Sequence, residues 1–111
     1  MRRPVGLARS AVLIGFFLVL VTPELKAALA APSLTARGIS TSQISLTWTD
    51  PNKQGNGFQI ERSLSSTSGF ALIATVGKNV TTYTNSGLAA GTTYYYRVRA
   101  LANNGSTSPY S

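Results

Sequence analysis

From residue 92 the chain alternates strictly between two kinds of side chain. Tyr94, Tyr96, Val98 and Ala100 fall on one side at a period of two, and Thr93, Tyr95, Arg97 and Arg99 fall on the other. Successive side chains of a strand point to opposite faces, so this pattern predicts a strand over 92–100 with one buried and one wet, cationic face. Residues 43–49 repeat the pattern, with Ile44, Leu46 and Trp48 together and Ser45, Thr47 and Thr49 opposite. Residues 58–62 do so again, with Phe58 and Ile60 inward and Gln59 and Glu61 outward. Shorter strands are expected at 32–36, with Leu34 and Ala36 on one face, and at 80–84. A strand at 70–76 has an ambiguous inward face, because Leu72 and Ile73 are adjacent. Between these runs lie turn and loop signals at 38–42, 53–57, 63–69, 77–79, 85–87 and 103–105, with Asp50-Pro51-Asn52 closing the second strand. A last strand begins at Ser106 and stops at Ser111. Nothing after Ala31 has helical periodicity, so the expectation is an all-β sandwich of two sheets.

The first thirty residues have a different organisation. Arg2, Arg3 and Arg9 precede an uncharged apolar run from Ala11 to Val21, which Thr22-Pro23-Glu24 breaks before Ala28-Leu29-Ala30. That order is the pattern of a secretory signal peptide over 1–30, with cleavage between Ala30 and Ala31 and a secreted, extracytoplasmic domain over 31–111. The alternative is an uncleaved membrane anchor, but a spanning helix needs about 20 apolar residues and this run is shorter. The chain has no cysteine, which removes both a lipid-modified cysteine anchor and a disulfide framework.

Charge looks different once this segment is set aside. The whole chain carries +7, but in 31–111 Arg37, Lys53, Arg62, Lys78, Arg97 and Arg99 face Asp50 and Glu61, a net +4. These cations are spread along the chain, which argues against a nucleic-acid partner. Histidine is absent as well as cysteine, so His-based triads, thiol nucleophiles and the usual zinc sites are excluded. Asp50 belongs to an Asp-Pro turn and Glu61 to the middle of a strand, which is not the pair across a cleft that a glycosidase needs. No catalysis, cofactor or metal is expected. Asn79-Val80-Thr81 and Asn104-Gly105-Ser106 fit the glycosylation acceptor pattern. Arg37-Gly38 is followed by Ile39, so the integrin-type Arg-Gly-Asp tripeptide is absent.

Taken in order, Pro32, Trp48, Pro51 and the run Leu88…Gly91-Thr92…Tyr94…Tyr96…Val98…Ala100 resemble the fibronectin type III family. The resemblance covers about residues 32–111. It implies an immunoglobulin-like sandwich with strands A, B and E in one sheet and C, C′, F and G in the other. It makes Tyr94 the tyrosine-corner residue, its hydroxyl bonded to backbone just upstream, and Trp48 the core tryptophan. Leu88, Tyr96 and Val98 join them as core residues, and 58–62 pairs with 92–100. Strand G is truncated relative to the family pattern. That leaves part of strand F as an unpaired edge, so that either the sequence continues, or the fold is marginal, or a partner strand completes it.

One face stands out as a candidate binding surface: Gln59, Glu61, Tyr95, Arg97 and Arg99, side by side on the paired outer strands. Tyrosine and arginine supply contact area and directional hydrogen bonds. The blander expectation is a Glu61–Arg97 cross-strand pair with Tyr95 packed along the arginine stems. Resemblance to the family's bacterial members implies a secreted, non-catalytic module for adhesion, spacing or interaction, with protein or polysaccharide at the cell surface as partner. A second reading is a carbohydrate-binding accessory fragment of a polysaccharide-degrading enzyme, and a third is a subunit that exchanges a strand at its open edge.

Overall fold

The computed structural model describes residues 11–14, 17–20, 29–52 and 55–111. The apolar run near the start gives β1 (Ala11–Ile14) and β2 (Phe17–Leu20), an antiparallel pair with Ala11 opposite Leu20 and Ile14 opposite Phe17. The rest of the expected signal segment lies outside the described residues, apart from Leu29 and Ala30. No helix among the described residues is long and apolar enough to cross a membrane.

Two three-stranded sheets follow. The first holds β3 (Leu34–Ser40), β4 (Gln43–Trp48) and β7 (Thr82–Asn85) in the order β3-β4-β7. The second holds β5 (Gly57–Ser63), β6 (Ala71–Gly77) and β8 (Tyr95–Leu101) in the order β6-β5-β8. All pairings are antiparallel, with Leu46 opposite Tyr83 in the first sheet and Ile60 opposite Val98 in the second. These are the two groups of strands that the sequence leads one to expect. The inner faces meet in a core of Leu46, Trp48, Phe58, Ile60, Val98 and Ala100. Trp48 of β4 and Phe58 of β5 join the sheets edge to face, with ring centroids 5.5 Å apart and planes at 62°. Leu88 and Tyr96 flank this centre, Leu88 buried and Tyr96 half-buried.

Several expectations need correction. Strand β3 runs on to Ser40 and the turn shrinks to Thr41-Ser42, because an irregularity between Gly38 and Ser40 carries the pairing with β4 through the expected loop. Ala36 is exposed, leaving Leu34 as the inward residue of that pair. The adjacency of Leu72 and Ile73 is resolved by a bulge: Glu61 pairs with Leu72 and Ile60 with Ala74, which leaves Ile73 as the extra residue. Leu72 therefore turns to solvent at 53% exposure, while Ile73, Ala74 and Val76 pack on the core. Gly57 is a strand residue rather than part of the loop before β5, with a φ of +141° that side-chain-bearing residues rarely adopt.

Strand β8 begins at Tyr95, because residues 92–94 build the corner in front of it. There the Tyr94 hydroxyl accepts a hydrogen bond from the Ala89 amide at 2.9 Å, which is the expected corner bond. The expected last strand is reduced to one bridge between Leu101 and Thr107. Even so, this segment covers much of the edge expected to be bare. The Ala100 amide donates to Ser108 Oγ at 2.8 Å and the Val98 amide to Ser111 Oγ at 3.0 Å. In return the Ser108 amide donates to the Ala100 carbonyl at 2.9 Å and the Ser111 amide to the Val98 carbonyl at 2.8 Å. Residues two apart on β8 thus meet residues three apart on the last segment, so Pro109-Tyr110 holds one residue more than a regular ladder.

Candidate functional site

The outer face of the β6-β5-β8 sheet brings together four of the five predicted site residues. Register places Gln59 opposite Arg99 and Glu61 opposite Arg97. Arg97 grips Glu61 Oε1 through Nε at 2.8 Å and Nη2 at 2.6 Å. Arg99 Nε donates to Gln59 Oε1 at 2.8 Å, and its Nη1 reaches Thr107 Oγ1 at 3.5 Å. Tyr95, the fifth, stands opposite Ser63 at the end of the strand and is 39% exposed.

Tyr95 does not supply the aromatic contact expected of it. The arginines stack instead on two rings that the alternation pattern did not single out. The Arg97 guanidinium carbon lies 3.8 Å from the centre of the Tyr110 ring and 4.3 Å from that of Phe70, while Arg99 lies 4.7 Å from Tyr110. Tyr110 reaches this face because of the extra residue between Ser108 and Ser111. Its hydroxyl then donates to Glu61 Oε2 at 2.7 Å. Both carboxylate oxygens are therefore occupied, one by each neighbour. Burial pulls the Glu61 carboxyl upward, but the bonds from Tyr110 and Arg97 and the charges of Arg97 and Arg99 prevail and hold it below the ordinary carboxylate value. Burial and the adjacent carboxylate push the Tyr110 phenol above its ordinary value. A carboxylate held ionised in this way suits a structural clasp and is a poor proton donor for general-acid chemistry.

A second region lies at the end of the sandwich where the β5–β6 loop meets the tyrosine corner. An open depression of about 740 Å³ is lined there by residues that include Arg62, Ser65, Ser68, Thr92 and Tyr94. Arg62 closes β5 on its inward side. Its Nη1 donates to Asn85 Oδ1 at 3.1 Å, and the guanidinium lies 5.2 Å from the Tyr94 ring centre. Asn85, which is buried, also receives the Tyr96 hydroxyl at 2.7 Å. A smaller hollow of about 210 Å³ flanks the same tyrosine on the side of Gly38, Gln43 and Leu88. Tyr83 is half-buried against the core, as packing rather than ligand contact would have it.

Comparison with known proteins agrees with this architecture. The family model for the fibronectin type III domain matches residues 30–111. A 73-residue stretch is 36% identical to part of an amylopullulanase from Thermoanaerobacter thermohydrosulfuricus, covering 64% of this chain but 5% of that protein. Among solved structures, an Fn3-like protein from Clostridium thermocellum superposes with a TM-score of 0.66 at 36% identity, over 77% of this chain and 88% of the other. A β-1,2-glucanase from Parabacteroides distasonis shares the fold over 14% of its length and 86% of this chain, with a TM-score of 0.67 at 22% identity. With its sheet order, its corner tyrosine and a family match across nearly all of the sandwich, this chain belongs to the fibronectin type III family.

Proposed function

We propose that the chain is a secreted, non-catalytic fibronectin type III module, acting in interaction, adhesion or spacing outside the cell. The observation that carries this reading is the 36% identity to a segment making up only 5% of an amylopullulanase, the share expected of one module among several. The clasped state of Glu61 supports it, because that carboxylate is engaged on both oxygens by Arg97 and Tyr110. The surface offered to a partner is the outer face of β6-β5-β8, where Arg99, Tyr95 and the exposed Leu72 lie around the clasp.

Export and the absence of hydrolysis test this reading together. The chain is expected outside the producing cell and is expected to release no reducing sugar from starch, pullulan or cellulose. Recovery only from the cytoplasm, or measurable hydrolysis by the pure protein, overturns it. The second reading is a carbohydrate-binding accessory unit, which the amylopullulanase relationship also favours. Pull-down on chitin, cellulose and cell-wall material tests the second reading, which retention on none of them rules out.

A further inference from the structure

The depression at the corner end of the sandwich has a composition that the proposed module role leaves unused. Its charged group is Arg62; Ser65, Ser68 and Thr92 bring hydroxyls, and Leu64, Ala71 and Ala89 give the rest of it an apolar lining. A guanidinium has five N–H donors. Among the described residues Arg62 spends one of them on Asn85, which is an amide, and has no ion pair. Glu61, the carboxylate beside it in sequence, faces the other side of the sheet and is taken by Arg97. The cation is nevertheless held in place, on one side by Asn85, which Tyr96 anchors, and on the other by the Tyr94 ring.

The adjoining loop is also built rather than loose. Ser63 Oγ donates to the Ser68 carbonyl, the Ser65 amide donates to Ser63 Oγ at 3.0 Å, and the Thr67 amide donates to Ser65 Oγ at 3.3 Å. Gly69 closes this loop at a φ of +75°, a backbone conformation that glycine allows without steric cost. A positioned guanidinium with no carboxylate partner among the described residues, bordered by hydroxyls and apolar side chains, matches a ligand with one carboxylate, several hydroxyls and an apolar ring face. The volume falls within the range of small-molecule sites, about 300–1,000 Å³.

We propose that this depression binds the uronic-acid unit of an acidic oligosaccharide, with Arg62 taking the carboxylate and Ser65, Ser68 and Thr92 meeting the ring hydroxyls. The proposal adds a site to the module reading and is tested in vitro, so an export failure and a binding failure remain distinguishable. The experiment is a titration of the isotopically labelled full chain with trigalacturonate, maltotriose and inorganic phosphate, followed by amide NMR. Trigalacturonate is expected to saturate with shifts confined to 62–69 and 89–94, while maltotriose and phosphate at equal concentration cause at least tenfold weaker effects. Arg62→Gln is expected to weaken binding at least tenfold. Because Arg62 also contacts Asn85, Leu64→Glu serves as the second variant. Leu64 is 70% exposed on the rim, so the change leaves the fold intact and sets a repelling charge at the mouth. Shifts centred on Arg97 and Arg99, equal binding of maltotriose or phosphate, or unchanged affinity in Leu64→Glu overturns the proposal.

Discussion

Glu61 is the residue through which the outer face is tied together, and its chemistry sets a pH dependence. Its folded-state pKa lies below the ordinary value, so the unfolded chain takes up a proton first as acid is added. The stability it contributes is present above the ordinary carboxylate range and is lost as pH falls through the lowered folded value. Cross-strand charge pairs contribute about 0.2–1 kcal/mol, and hydrogen bonds to charged groups about 1.5–3 kcal/mol. Arg97 remains about a third exposed, at 34%, which favours the lower end of that span. Glu61→Gln is therefore expected to cost about 1 kcal/mol at pH 7 in urea denaturation and progressively less as the pH is lowered toward 3. An equal deficit at both pH values would assign the effect to packing instead of charge. Tyr110→Phe keeps the ring against Arg97 and removes only the hydroxyl, so it separates the stacking contribution from the bond to Glu61 Oε2.

At the scale of the element, contacts on the two sides of the second sheet decide how well it is closed. On one side, serine hydroxyls serve as ladder acceptors for Val98 and Ala100. Ser108 is only 4% exposed, so Ser108→Ala strands the Ala100 amide away from water. Leaving a buried donor unpaired costs about 1–3 kcal/mol. The Ala100 amide should also lose hydrogen-exchange protection before the rest of β8 does; uniform loss along the strand would mean that the serine merely fills space. On the other side, a Cβ on Gly57 would run into the Val76 carbonyl at a backbone conformation that already disfavours side chains. Gly57→Ala should destabilise by about 2–4 kcal/mol in denaturant unfolding, through strain and a broken β5–β6 pairing. These contacts mark where the sequence stops being readable. Strict alternation exposed β4, β5 and β8, because a period of two maps directly onto the two sides of a sheet. It could not place Ile73 or Tyr110, since an extra residue resets the alternation and depends on what the neighbouring strand does. Gly57 read as loop for a related reason: a glycine carries no side chain to declare its side. The Glu61–Arg97 pair was legible from register alone, but the rings that hold Arg97 were not.

For the whole molecule, residues before the expected cleavage dock on the sandwich and set where it begins. Leu29 packs against the core although it precedes the expected cut between Ala30 and Ala31. The Ala30 amide donates to Asn52 Oδ1 at 2.6 Å, and Asn52 Nδ2 donates back to the Ala30 carbonyl at 2.9 Å. This reciprocal pair ties the segment before β3 to the turn that closes β4. A chain starting at Ala31 loses both bonds and the Leu29 contact. Full burial of a leucine side chain is worth about 1.5–3 kcal/mol, and Leu29 is only half-buried. Exposed hydrogen bonds add about 0.5 kcal/mol each, at the low end of their usual worth. Protein spanning 31–111 should therefore be about 2 kcal/mol less stable than protein spanning 29–111. For a domain of this size each kcal/mol moves the melting temperature by about 4–8 °C. Calorimetry on the two lengths, with intact mass fixing the start of the secreted chain, reads this directly. Equal melting temperatures would show that Leu29 and Ala30 lie on the sandwich without stabilising it.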